Sequence, residues 1–265
     1  MYNLLNFFND EVAESDFGIA VWISVGAMAA MAIIIAVICF YNRKGGLFDT
    51  KNIVFAGLSI AASFGLSFIK IAPVEYGGSI TLASMLPIML YAYSFGPVCG
   101  LAAGMIHGLL QFVQDPYLLT PVTWLLDYPL AFCGIFLMGI AKKHIRRSTL
   151  LSLVVGVLLT YAFRFSSHLL SGFIYFSHNA IWVDLPQSNA FVYSFLYNAV
   201  YLIPDMIIAL ASFVGLYYAG GIRALDNIIS RGRVFPVFHR SHDLRAVLFF
   251  MFFCWFYVVY FVEAT

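Results

Sequence analysis

The chain has 265 residues, of which 62% are hydrophobic and only 10% are charged, and its mean hydropathy is +0.90. So little charge excludes a soluble domain of this length and indicates a polytopic membrane protein. A net charge of +1 excludes the basic footprint of a nucleic-acid-binding protein. The four cysteines lie in apolar segments without metal-ligand spacing, which predicts buried thiols and no metal site.

Eight apolar segments follow one another along the chain, most of them near the roughly 20 residues needed to cross a bilayer. They lie at about 17–41, 51–72, 82–95, 97–114, 119–140, 149–176, 190–218 and 244–262. Basic residues cluster after the first segment, after the fifth and before the eighth. The positive-inside rule therefore predicts that these three connections are cytoplasmic and that both termini are extracellular. Lys70 and Arg164 are expected within membrane segments.

The sixth segment carries polar residues at helical spacing inside an apolar run. Tyr161, Arg164, His168, Ser171 and Tyr175 follow at steps of three and four, which places them on one helix face. A central arginine costs roughly 2.5–3.5 kcal/mol or more in the membrane, so it usually faces a partner or a cavity. This stripe is the first indication of a site.

Two neighbouring segments bring polar groups to the same outer level as the outer half of this stripe. Segment five carries Asp127 and Tyr128, and segment seven carries Tyr193 and Asn198. A carboxylate, an imidazole, a carboxamide and several tyrosines predict a pocket for a small cationic or amine-bearing solute.

A plainer interpretation stays open for each of these groups. In this interpretation Asp127 would pair with His168 or Arg164, or Arg164 would instead form a structural ion pair with Asp205. The tyrosines would form an interfacial belt, and Asn198 would contribute to helix packing. The pairing of Arg164 with Asp205 is the one we expect.

Enzymatic activity is not expected, because the sequence contains no HExxH, no GxSxG and no phosphate loop ending in Gly-Lys-Ser/Thr. We therefore predict no catalytic residues, no cofactor and no ATP hydrolysis by this chain. Glycines 100, 104 and 108 predict close helix packing around the fourth segment.

Four stretches resemble one family in combination: GGSITLASMLPIML (77–90), GLLQFVQDPYLLTPVTWLLDYPLAF (108–132), FRFSSHLLSGFIYF (163–176) and YSFLYNAVYLIPDMIIA (193–209). They are similar to the thiamine-specific S component of energy-coupling factor (ECF) vitamin transporters. The resemblance implies an all-α bacterial plasma-membrane protein with a six-helix core at 51–218. Residues 1–50 would add an N-terminal transmembrane helix and a linker, and 219–265 a cytoplasmic linker and a C-terminal transmembrane helix.

The resemblance also implies partners and site residues. The subunit would capture thiamine from outside and deliver it through a transmembrane coupling subunit driven by two cytoplasmic ATPases. The solute-contacting residues would be Tyr117, Asp127, Tyr128, His168, Tyr193 and Asn198. Phe176 stands where the family has a stacking tryptophan, and Asp127 where it often has glutamate. Gly57 and Ala61 match the small-xxx-small contact with the coupling subunit.

Two alternatives remain at this point. The first keeps the fold and changes the solute to another vitamin or a thiamine precursor. The second is a stand-alone secondary transporter that uses Asp127, Asp205 and His168 as a proton relay.

Overall fold

The computed structural model describes residues 49–73, 78–116, 121–176 and 190–230, and most of them are helical. The described elements in chain order are α1 (Thr50–Ser67), β1 (Lys70–Pro73), β2 (Ser79–Thr81), α2 (Leu86–Phe95), α3 (Pro97–Gln114), α4 (Pro121–Leu125), a π-helical stretch (Leu126–Leu130), α5 (Ala131–Cys133), α6 (Phe136–His144), α7 (Thr149–Phe176), α8 (Ala190–Tyr218) and α9 (Gly221–Ser230). The predicted first and eighth segments, and with them the two extra helices, lie outside the described residues.

Four helical segments within the described part of the chain are long and apolar enough to cross a membrane. They are Pro97–Gln114, Thr123–His144, Thr149–Phe173 and Phe191–Tyr218. The predicted all-α membrane fold is therefore confirmed for the described residues, with a small hairpin added to it. The core lies between α2, α6, α7 and α8, where side chains such as Ile88, Met138, Leu153 and Phe213 are buried.

The prediction that Lys70 lies within a membrane helix is wrong. Helix α1 ends at Ser67, and Lys70 begins strand β1, which pairs antiparallel with β2. A proline at position 73 suits this extended stretch, because it has no backbone N–H and is excluded from a helix interior. The Lys70 ammonium then forms an ion pair with Asp115, immediately after α3.

The break between α2 and α3 lies at Gly96. Its φ of +98° is a conformation that residues with a side chain rarely adopt, so glycine is required here. Pro97 follows at the first turn of α3, where the missing backbone N–H costs nothing. The chain therefore forms two consecutive helices, of 10 and 18 residues, instead of one long helix.

The π-helical stretch contains Pro129, which lacks the N–H that an α-helix needs and whose ring crowds the preceding turn. A π turn is one way for the helix to continue past such a residue. Helix α3 lies directly against this stretch at Gly108 and against α5 at Gly104, because neither glycine has a side chain. A Cβ at Gly108 would lie 2.5 Å from the carbonyl oxygen of Tyr128. The glycines predicted to allow close packing do so here.

The polar connection expected from residue 220 onward begins with helix α9. Its Ile222 is buried against the core, whereas Arg223, Asp226 and Asn227 are exposed. Apolar residues three or four positions apart give the helix one buried face, which a count of polar residues does not reveal. Asp226 Oδ1 lies 3.2 Å from Lys142 Nζ at the end of α6, which ties α9 to the core.

Candidate functional site

Asp127 is held within the π-helical stretch by two side chains of α7. Ser171 Oγ donates to its Oδ2 at 2.6 Å, and His168 Nδ1 lies 2.9 Å from its Oδ1. The Asp127 side chain nevertheless stays 25% exposed. A third bond fixes the backbone beside it, from Ser167 Oγ to the carbonyl oxygen of Leu126 at 2.6 Å. The carboxylate is thus oriented by α7 and still accessible.

His168 is contacted on both ring nitrogens. Opposite the Asp127 contact, its Nε2 lies 3.4 Å from Arg164 Nε, one turn deeper on the same helix. The ring also meets that of Tyr201 on α8 edge to face, with centroids 6.2 Å apart. His168 therefore connects the carboxylate of the site with Arg164, whose side chain is 14% exposed.

Asp205 on α8 is almost completely buried, and its carboxylate contacts four donor groups from three residues. Its Oδ1 accepts from Thr81 N at 3.1 Å and Thr81 Oγ1 at 2.8 Å. Its Oδ2 accepts from Tyr161 at 2.8 Å and lies 3.6 Å from Arg164 Nη1. This last distance suits an ion pair and is longer than a hydrogen bond. The structure thus places the expected pair together and adds the β2 strand to it.

The polar residues of α8 form a bonded chain of their own. Tyr201 donates to Asn198 Oδ1 at 2.7 Å, and Asn198 Nδ2 donates to the backbone oxygen of Ser194 at 2.8 Å. Ser194 Oγ donates to Leu169 O on α7 at 2.9 Å. Asn198 is fully buried, and its contacts here are with α8 itself. Its amide supports Tyr201, the neighbour of His168.

The predicted tyrosines differ in position. Tyr193 is buried in a cluster with Tyr197, Tyr201 and Leu202. Tyr128 donates from its hydroxyl to the backbone oxygen of Asp115 at 2.6 Å, and its ring lies edge to face with Phe112, at 5.1 Å. Two of the predicted residues are not placed by the structure. Tyr117 and the side chain of Phe176 lie outside the described residues.

Three residues that contact Asp205 or Arg164 in the structure were not among the predicted site residues. Thr81 anchors the hairpin to Asp205, Met85 Sδ accepts from Arg164 Nη1 at 3.0 Å, and the ring of Phe132 lies 4.6 Å from the Arg164 guanidinium carbon. Thr81 and Asp205 are 124 positions apart, and no spacing rule relates them. Met85 and Phe132 carry no polar signal that could have been found.

The residues predicted for the coupling interface lie away from this cluster. Gly57 and Ala61 are exposed on α1, and a Cβ built at Gly57 would meet nothing within 4 Å. Helix α1 turns its buried polar residues Asn52, Ser63 and Ser67 inward. It therefore presents a smooth outer face of small and apolar side chains.

Chemically, the cluster suits binding. It offers an accessible carboxylate, an imidazole and aromatic edges in a buried setting, which together favour a cationic or hydrogen-bond-donating solute. Among the described residues, no group of three or more His, Cys, Asp or Glu is placed to hold a metal ion.

Comparison with known proteins finds a family model, a relative and a solved structure to which this chain is similar. Residues 53–221 match the family model described as thiamine transporter protein (Thia_YuaJ). Thiamine transporter ThiT of Bacillus subtilis (strain 168) is 31% identical over 142 residues, which cover 50% of this chain and 71% of that protein. A solved structure of ThiT from Listeria monocytogenes aligns with a TM-score of 0.55 at 21% identity, covering 64% of this chain and 94% of that one. This last likeness concerns the fold alone.

Proposed function

The chain belongs to the thiamine transporter protein family, and from that premise we propose that it is the thiamine-binding S component of an ATP-driven ECF importer. It binds the vitamin from outside within the membrane and releases it inside through a separate coupling subunit. Its role is binding and conformational coupling, without catalysis. The bacterial plasma membrane, with both termini outside, is its proposed location.

The observation that carries this proposal is that the Asp127 carboxylate is both oriented by hydrogen bonds and accessible. Its carboxylate is fixed by His168 and Ser171, lies in the family-matching region, and remains 25% exposed. Thiamine carries a permanent positive charge on its thiazolium ring and an amino group on its pyrimidine. A pre-oriented carboxylate opposes that charge or accepts from that amine without further ordering cost.

Aromatic and amide groups complete the proposed contacts. The ring of Tyr201 lies beside His168, and Tyr193 belongs to the same buried cluster as Tyr201. Aromatic surface attracts desolvated cations by about 2 kcal/mol. Tyr117, Tyr128, Phe176 and Asn198 are the remaining proposed contacts or supports. Asn198 acts in this scheme by holding Tyr201 in place.

The proposed coupling surface is the outer face of α1. Small residues at Gly57 and Ala61 let another helix approach closely, which is the main source of helix association in lipid. Two ATPase subunits would supply the energy, because this sequence contains no phosphate loop ending in Gly-Lys-Ser/Thr.

The test is thiamine binding to Asp127→Asn in the purified full-length protein. The amide keeps the shape and removes the charge, so affinity should fall by about 2 kcal/mol or more, roughly thirty-fold in Kd. Asp226→Asn is the matched control, since this exposed carboxylate pairs with Lys142 at the far end of α6. Titration calorimetry with thiamine measures both variants.

Two results would contradict the proposal. Equal affinity in Asp127→Asn and wild type would leave Asp127 with a structural role only. Binding of another vitamin in preference to thiamine would change the solute while keeping the fold.

A further inference from the structure

Three groups hold Arg164 in place, and none of them is a proposed solute contact. Its Nη1 lies 3.6 Å from Asp205 Oδ2 and 3.0 Å from Met85 Sδ, and its guanidinium stacks over the Phe132 ring at 4.6 Å. These contacts occupy one nitrogen and one face of the planar group. The Nε–H takes no part in these contacts, and it faces His168 Nε2 at 3.4 Å.

This contact determines which nitrogen of His168 carries the proton. An arginine N–H only donates, so the facing Nε2 must accept and must be unprotonated. Nδ1 then carries the hydrogen and donates to Asp127 Oδ1 at 2.9 Å. Turning the ring by 180° would put carbon atoms opposite both partners, so only one orientation gives both contacts.

The alternative is a histidinium, protonated on both nitrogens, paired with Asp127. Such a pair would neutralise the carboxylate of Asp127, which is the accessible acid of this cluster and the proposed anchor for the solute. An N–H on Nε2 would point at the Arg164 guanidinium, which repels it and cannot accept a hydrogen bond. In the described region, the charged or titratable groups facing His168 are Asp127, Arg164 and Tyr201, with Asp205 behind Arg164.

We infer that Arg164 is a positioning residue for the solute site: it keeps His168 neutral, so that Asp127 retains its full negative charge toward the solute. The charges of Arg164 and Asp205 cancel, His168 contributes none, and Asp127 is left unbalanced among these four groups. The site then favours solutes that carry one fixed positive charge over neutral solutes of similar shape. This inference deepens the proposed function and rests on it for the choice of solute.

The first experiment uses the wild-type protein without solute. Full-length protein labelled with ¹⁵N-histidine is placed in lipid nanodiscs, and ring nitrogens and their protons are correlated by NMR at about pH 7. The His168 signals are identified by their loss in His168→Gln. We expect a protonated Nδ1 and an unprotonated Nε2. A proton on Nε2 would overturn the inference without any variant having to fold.

The second experiment removes the arginine together with its counter-charge. In Arg164→Met/Asp205→Asn no buried charge is left unpaired, and Nε2 becomes free to bind a second proton. We expect that proton to appear in the NMR spectrum on acidification, at a pH where the wild-type protein still lacks it. Thiamine affinity should fall about tenfold at that pH, with a smaller loss for a neutral pyrimidine precursor.

Lys142→Met/Asp226→Asn is the matched control, since it removes an ion pair of the same kind at the far end of α6. It should match wild type in both measurements. An unchanged His168 spectrum in the Arg164→Met/Asp205→Asn variant, or an equal change in the control, would refute the specific role of Arg164. Absence of thiamine binding by wild type would refute the proposed function alone, because the NMR result does not depend on the solute.

Discussion

Replacing Gly108 with alanine tests whether the packing of α3 against the π-helical stretch sets the geometry of Asp127. An added Cβ would lie 2.5 Å from Tyr128 O, 2.9 Å from Tyr128 C and 3.1 Å from Pro129 Cα. All three atoms belong to the backbone, so no side chain can rotate away. The helix or the stretch has to move instead.

The size of the effect follows from these distances. Ordinary contact begins near 3.4 Å, so the two backbones must separate by about 1 Å. The bonds from Asp127 to Ser171 and His168, at 2.6 and 2.9 Å, leave hydrogen-bonding range if they lengthen by that much. Overpacking costs about 1–3 kcal/mol, against a gain of at most about 1 kcal/mol from the better helix propensity of alanine.

Gly215→Ala in α8 is the matched control, because a Cβ there meets nothing within 4 Å. It keeps the propensity gain without the clash. We expect Gly108→Ala to unfold at a lower temperature than wild type and to bind thiamine about tenfold more weakly, as loss of one charged hydrogen bond implies. Thermal unfolding and titration calorimetry measure the two effects. If both variants behave alike, the reasoning about this contact is wrong.

Two further predictions concern α8 and α1. Asp205→Ala should lower the free energy of unfolding by about 3–5 kcal/mol, because it leaves Arg164 and the Thr81 donors without their acceptor. Thermal unfolding measures this loss, and a value below about 1 kcal/mol would contradict the prediction. Gly57→Trp should abolish thiamine uptake in cells while thiamine binding by the purified protein stays intact, because the new ring prevents close helix approach. Loss of both activities would indicate misfolding, and uptake in cells without the ATPase subunits would indicate a secondary transporter.

The parts of the site that obey helical periodicity could be predicted from sequence. The four side chains at steps of three and four each contact Asp127 or Asp205 in the structure; they are Tyr161, Arg164, His168 and Ser171. A polar residue inside an apolar run is a strong signal, because lipid makes an unpaired polar group expensive.

Contacts between distant elements could not be predicted in the same way. Thr81 lies in a short hairpin whose position depends on Asp205, so its role appears only after the helices are assembled. Lys70 directly follows an apolar run, so hydropathy alone predicts a membrane segment that continues over it. The polar composition of α9 gives no sign of a helix, although Ile222 is buried against the core. In both cases a tertiary contact overrides the local sequence pattern.

The arrangement around Asp127 has a consequence for biosynthesis. The two side chains that bond its carboxylate, His168 and Ser171, are translated 41 and 44 residues later. An unpartnered acid within the bilayer costs roughly 2.5–3.5 kcal/mol on insertion scales. The segment that carries Asp127 therefore enters the membrane at a disadvantage and reaches its final position only after α7 has been inserted beside it. The hydrogen bonds that orient this carboxylate can therefore form once α7 has been synthesised, whereas those of Asp205 have to await α8.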